Sequence, residues 1–167
     1  QTGPAGLIRA ALLVPLSGQS ASLGQALVNA AQMALFDVAD EHFVLQIYDT
    51  QGTPEETAQV TARAIGEGAQ IILGPVFAAD AKAAGTTAAA SGINVVTFST
   101  DPSIAGNNVY VMGFLVEEQV RQIIQYARAQ GRERLAILAP DTAYGMAVVD
   151  AFKKYVPGAD YSKIGIY

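Results

Sequence analysis

Leu7-Ile8-Arg9-Ala10-Ala11-Leu12-Leu13-Val14, closed by Pro15, is a short apolar run that ends on a turn residue. Such a run, too short for a helix of ordinary length and without polar alternation, reads as a strand buried on both faces. The same form returns at Phe43–Tyr48, Gln70–Leu73, Ile93–Phe98, Val109–Met112 and Arg134–Leu138. Helical stripes fill the intervals: Leu27, Ala31, Ala34 and Val38 share one face, as do Val60, Ala64 and Ile65, and Ile123, Tyr126 and Ala127 continue the theme. Thr53-Pro54-Glu55-Glu56 is a capping box with Pro at the first helical position, where its missing N–H costs nothing and Glu56 can reach back to the cap. Gly92 and Gly131 follow two helical patterns, where a left-handed residue closes the last turn. Strict alternation of strand and helix requires parallel strands joined by right-handed crossovers with helices on both faces, an α/β, doubly wound, Rossmann-like sheet. Ligands of such sheets sit at the carboxyl ends of the strands, where neighbouring connections diverge. The loops Pro15–Gly24, Gly74–Ala79 and Ser99–Gly106 are therefore the candidate binding loops, each rich in small, hydroxyl or amide residues.

Composition narrows the function. The 167 residues are 51% hydrophobic with no Trp, a globular composition suited to closely packed helices on a sheet. No apolar run approaches the roughly 18–20 residues that span a bilayer. The net charge is −5, and Lys82, Lys153, Lys154 and Lys163 form no patch with Arg that could neutralise phosphates, so no nucleic-acid partner is expected. With no cysteine, and with His42 as the lone imidazole, thiolate and His-rich metal sites are excluded; no metal and no cofactor are expected. Asp49, Asp101 and Asp141 lie at strand ends, but a magnesium or phosphoacceptor site needs clustered carboxylates with a partner Lys, and turn or cap roles fit them better. His42, beside Asp40 and Glu41, reads as a loop imidazole in solvent. There is no G-x-S-x-G elbow, no phosphate loop and no G-x-G-x-x-G after the first strand, so no catalytic residue is assigned and the chain is not expected to be an enzyme.

The motifs, in order, resemble the leucine/isoleucine/valine-binding receptor family, the type I periplasmic binding proteins. The resemblance is carried by Pro15-Leu16-Ser17-Gly18 with Leu23-Gly24, Asp49 with Thr53-Pro54, Ile72-Leu73-Gly74-Pro75, Phe98-Ser99-Thr100, Val109-Tyr110, Ala136-Ile137-Leu138 and Tyr144-Gly145. The wording of Ala34-Leu35-Phe36-Asp37-Val38-Ala39-Asp40, Leu73-Gly74-Pro75-Val76-Phe77-Ala78 and Thr97-Phe98-Ser99-Thr100-Asp101 is similar to the penicillin-binding-protein activator lipoproteins of that superfamily. The resemblance implies a linker at residues 1–6, an N-terminal α/β lobe at 7–113, and at 114–167 the crossover and a partial second lobe with helices, a strand at Arg134–Leu138, a helix near Tyr144–Tyr155 and a strand at Tyr161–Tyr167. An incomplete lobe leaves an apolar sheet face open, so either a homodimer covering Arg134–Leu138 or poor order beyond Gly113 is expected. It also implies a periplasmic location, with a lipid tether to a membrane upstream of this chain in the activator relatives.

The same resemblance assigns ligand-binding residues. Ser17, Gly18 and Leu23 belong to the loop that faces the cleft, Leu23 at a position that covers the ligand; Ser17, Ser20 and Ser22 serve equally as helix caps. Phe77 and Ala78 stand where amino-acid-binding relatives carry a hydroxyl for the ligand carboxylate, so here only backbone N–H groups could donate, and Phe77 could instead plug the lobe edge. Ser99 and Thr100 match the hydroxyl-bearing loop that receives a polar group, or form a turn into Asp101-Pro102. Tyr144 matches the second-lobe residue that closes over the ligand, although Asp141-Thr142 before it reads as a cap. Two partners follow as expectations: a small polar, amino-acid-like solute carried to an importer, or a cell-wall synthesis protein regulated by the same fold.

Overall fold

The computed structural model describes residues 6–38, 42–158 and 163–167. The chain divides after Gly113 into two compact units. In the first, β1 (Ile8–Val14), β2 (Phe43–Asp49), β3 (Ile71–Leu73), β4 (Asn94–Thr97) and β5 (Val109–Val111) form a parallel sheet in the order β2-β1-β3-β4-β5. Its connecting helices are α1 (Ala21–Val38), α2 (Pro54–Gly66) and α3 (Ala78–Ala89). This is the doubly wound α/β sheet expected from the alternation of runs and stripes. Expected residues 1–5 of the linker lie outside the described residues.

Period-two alternation sorts the core. Ala11 and Leu13 of β1 face one cluster with Val60, Ala64, Ala84, Ala88 and Val95 from α2, α3 and β4. Leu12 and Val14 face the other, with Val28 of α1 and flanking Leu27, Ala31, Leu45 and Leu73. β1 is thus buried on both faces because it has a paired strand on each side and helices above and below. β2 has the same apolar form but lies at the sheet edge; Ile47 is 37% exposed, which corrects the expectation of burial on both faces.

α1 also differs in rotation. Gly24 and Val28 are its buried residues, with Leu27, Ala31 and Leu35 flanking them, whereas Ala34 and Val38 are exposed. A Cβ at Gly24 would lie 1.8 Å from the Pro15 carbonyl oxygen, and that close approach fixes which side of α1 meets the sheet. Ala34 and Val38 instead border a cavity of about 340 Å³ shared with Phe43, Leu45 and Leu73. At α2, the Thr53 hydroxyl accepts from Glu56 N at 3.3 Å as expected, but the Thr53 amide donates to Thr50 O at 3.1 Å. Gly92 and Gly131 take φ of 65° and 72°, the left-handed values that their places after helices require.

The second unit contains α4 (Val116–Ala129), β6 (Ile137–Ala139), α5 (Ala143–Tyr155) and β7 (Ile164–Ile166), with β6 and β7 parallel. Val120 and Ile124 pack with Val149, Phe152, Val156 and Ile164. The expected α4 stripe is only partly buried: Ile123 and Tyr126 are each 69% exposed and Ala127 is half-buried, while the neighbouring Val120 and Ile124 turn inward. β6 begins at Ile137 rather than Arg134, because its pairing with β7 extends only from Ile137 to Ala139. The expected strand Tyr161–Tyr167 is in part outside the described residues, and its described part is Ile164–Ile166. Leu138 and Ile166 are 69% and 50% exposed.

Candidate functional site

β1 connects through α1 to β2 on one side, and β3 connects through α3 to β4 on the other. The connections leaving β1 and β3 consequently diverge, and the crevice outside the carboxyl ends of these two adjacent strands is the topological switch point of the sheet. The loop Leu16–Ser20 forms one wall and Gly74–Phe77 the other, so two of the three candidate loops flank it; Ser99 lies at the end of neighbouring β4.

Each loop is held by its own contacts. Asp49, the last residue of β2, accepts through Oδ1 from Leu16 N and Gln51 N, both at 2.8 Å. Burial alone would raise the Asp49 carboxyl, but the hydrogen bonds from Gln51, Ser17 and Leu16 outweigh it and hold it below the usual carboxylate range. Ser17 is exposed with its side chain hydrogen-bonded to Asp49, and Gly18, at φ 75°, would bring a Cβ to 3.6 Å from the Gln51 carbonyl. Across the crevice, Thr97 is fully buried, donates its hydroxyl to Pro75 O at 2.6 Å and accepts from Ser99 N at 3.1 Å. Ser99 is 3% exposed and its Oγ accepts from Asp101 N; Asp101 in turn accepts from Ser103 N, and Ser103 holds its carboxyl below the usual range. Thr100 stands exposed at the rim.

Leu23, in the first turn of α1, is 42% exposed. Phe77 is 37% exposed and reaches from the β3 loop toward the β2–α2 turn, where a Cβ at Gly52 would lie 3.6 Å from its ring. Phe77 is the N-cap of α3 and makes no side-chain capping bond, so the first N–H groups of α3, beginning at Ala78, have no side-chain cap from it. Tyr144 belongs to the second unit, where it lines a cavity of about 240 Å³ with Val116, Ile123, Ile137, Val148 and Phe152. Its helix is capped by Thr142, whose hydroxyl accepts from Gly145 N at 3.2 Å.

Residues 7–165 match the family described as periplasmic binding protein. The chain belongs to that family. This periplasmic binding protein is similar to the Leu/Ile/Val-binding protein BraC3 of Rhizobium johnstonii, 28% identical over 153 residues that cover 85% of this chain and 42% of the relative. It is also similar to the penicillin-binding protein activator LpoA of Glaesserella parasuis, 28% identical over 145 residues, 85% of this chain and 24% of the relative. Among solved structures, a solute-binding protein of an ABC transporter from Rhodopseudomonas palustris in complex with 3,4-dihydroxybenzoic acid shares the fold at a TM-score of 0.75 and 20% identity, covering 96% of this chain and 46% of that one. The chain spans less than half the length of these relatives.

At the candidate crevice, two contributors are not evident from the sequence alone. Asp49 reads in the sequence as a turn or cap residue, but not as the clasp between two loops; Thr97 is given no role of its own by the sequence, yet its hydroxyl holds Pro75 O. No group of three or more His, Cys, Asp or Glu able to hold a metal occurs among the described residues. Asp80, in the first turn of α3, is 2% exposed, and its Oδ2 has no hydrogen-bond partner among the described residues. Burial, followed by the negative charge of Glu55, pushes its carboxyl above the usual range. A folded value above the unfolded one means that the folded state holds the proton more tightly. The stabilisation is full below the unfolded value of about 4 and is lost as pH rises through the folded value. Asp80→Asn, which stays neutral, is expected to raise the thermal midpoint near pH 7, with the gain shrinking toward pH 4. A gain independent of pH would contradict this account.

Proposed function

We propose that this chain is a non-catalytic, extracytoplasmic recognition domain whose ligand seats at the switch point between β1 and β3. The observation that carries the reading is the crevice itself: it opens between the walls Leu16–Ser20 and Gly74–Phe77, where doubly wound sheets take their ligands. The chemistry offered there suits a small polar solute, amino-acid-like or a related carboxylate. N–H groups at the start of α3 can meet an anionic oxygen, while Leu23 and Phe77 supply apolar cover. BraC3 is named for Leu/Ile/Val binding and the Rhodopseudomonas protein holds a dihydroxybenzoic acid, both small carboxylates, which supports this class. Asp49 and Asp101 spend their carboxylates on backbone amides, and this supports a site that binds rather than reacts. The reading takes residues 7–113 as an N-terminal lobe and 114–167 as the beginning of a second, in the periplasm, with Tyr144 as that lobe's ligand residue.

A second reading is favoured by Phe77, which lies toward Gly52 beside the crevice, and by Ala78, which carries no hydroxyl. Here the domain is a protein-interaction module, similar to the activator LpoA, whose partner is a cell-wall synthesis protein. Thermal shifts of the full-length protein against amino acids, hydroxybenzoates and peptidoglycan fragments separate the two. A ligand at 100 times its Kd adds about 2.7 kcal/mol, several degrees of midpoint. A reproducible shift with one chemical class supports the solute receptor; none across the panel, in a folded sample, rejects it in favour of the interaction module.

A further inference from the structure

Asp49 lies one strand away from the crevice, yet it is bound to the crevice wall. Its Cα pairs in register with Val14 across the β1–β2 ladder, so its side chain leaves β2 at the level where β1 ends and the Leu16–Ser20 loop begins. One oxygen, Oδ1, then receives two amides at 2.8 Å, from Leu16 in the β1 loop and from Gln51 in the β2–α2 turn. Ser17 adds hydrogen bonds from both its side chain and its backbone. Around this clasp the backbone is unusual: Gly18, Gln51 and Gly52 take φ of 75°, 53° and 68°. Gln51 is a non-glycine residue in the left-handed region, a conformation that persists where surrounding contacts over-determine it. Charge-assisted bonds from a carboxylate to backbone N–H are the stronger kind, and here they cross between two connections that share no hydrogen-bonded ladder of their own.

We propose that Asp49 is the positioning residue of the binding crevice: its carboxylate ties the Leu16–Gly18 wall to the β2–α2 turn and thereby sets where that wall stands. This rests on the crevice being the ligand site, as proposed above. Asp49 acts on the crevice through Leu16 and Ser17, the two wall residues it holds. Asn at the same position keeps an acceptor oxygen but loses the charge, whereas Ala removes both.

The test uses amide exchange followed by NMR in the wild type, Asp49→Asn and Asp49→Ala, together with titration of each by isoleucine and by 4-hydroxybenzoate. The Leu16, Ser17 and Gln51 amides are expected to exchange on the order of tenfold faster in Asp49→Ala, with Asp49→Asn between it and the wild type, while the Ala10–Val14 amides stay protected. Leu16 and Ser17 exchange that is unchanged in Asp49→Ala overturns the proposal. Should Asp49→Ala fail to fold, Asp49→Asn decides by the same amides against the wild type. Where a probe binds the wild type, affinity is expected to fall in the same order, and equal affinity in the variants also overturns it. Where neither probe binds the wild type, these two solutes are not its ligands, while the exchange result still decides the role of Asp49.

Discussion

Gly74→Ala is expected to cost the first unit about 2–5 kcal/mol, through left-handed strain of roughly 1–2 kcal/mol and overpacking of roughly 1–3 kcal/mol. Gly74 takes φ of 85°, and a Cβ there would lie 2.2 Å from the Leu13 carbonyl oxygen. Neither partner can retreat easily. Leu13 is fully buried in β1, and the Gly74 amide donates to Val96 O at 2.8 Å on the other side. Gly92→Ala is the matched control, with a positive φ of 65° but no atom within 4 Å of the added methyl, so it should carry only the strain, about 1 kcal/mol. Amide exchange of the β1 residues reads the opening free energy of this unit for both variants. Equal losses would mean that the β1–β3 contact yields to a methyl group, and that the floor of the crevice is softer than its geometry implies.

The order of elements was open in the sequence because buried parallel strands and their crossover helices carry different periods, and several boundaries were marked by Pro15, Thr53-Pro54, Gly92 and Gly131. Rotation and exposure were less accessible. Val38 and Leu35 both continue an apolar stripe of α1, and the contact of Gly24 with Pro15, together with Val28 packed on Leu12 and Val14, turns Leu35 inward. In α4 the stripe through Ile123 and Tyr126 also carries Gln119 and Gln130, while Val120 and Ile124 run with Val116 and Ala127, and it is this second stripe that is buried. Strand ends follow the partner rather than the run: Arg134–Ala136 lie beyond the register with β7, and β6 is shorter for it.

The candidate crevice was legible to the level of loops. Carboxyl-edge position follows from strand order, and the walls Leu16–Ser20 and Gly74–Phe77 come with it. What each hydroxyl does was not legible, because Ser, Thr and Asp near turns bond to whatever amide the fold brings within reach. The Ser99 hydroxyl accepts from the Asp101 amide, and Ser17 is bonded to Asp49, which lies one helix and one strand further along the chain. Long-range clasps of this kind depend on register, which a single sequence does not state.

One joint is built twice, and it supports the last prediction. In each unit a proline closes the first strand, and a glycine early in the following helix sits on that proline's carbonyl: a Cβ at Gly24 would be 1.8 Å from Pro15 O, and one at Gly145 1.8 Å from Pro140 O. Each glycine is preceded by an exposed side chain at the carboxyl edge, Leu23 at 42% and Tyr144 at 55%. The glycine lets the helix approach the strand end closely enough to present that side chain there. Gly24→Ala should therefore push α1 off β1 and destabilise the first unit by about 3 kcal/mol, at the upper end of overpacking costs, with Gly145→Ala doing the same in the second unit. Gly66→Ala, with nothing within 4 Å in the last turn of α2, should instead stabilise by roughly 0.5–1 kcal/mol. Exchange of the β1 amides reads Gly24→Ala, and exchange of the Ile137–Ala139 amides reads Gly145→Ala. If either joint accepts the methyl group at less than about 1 kcal/mol, its helix can slide outward, and the preceding Leu23 or Tyr144 is held by the helix's own packing rather than by the glycine contact.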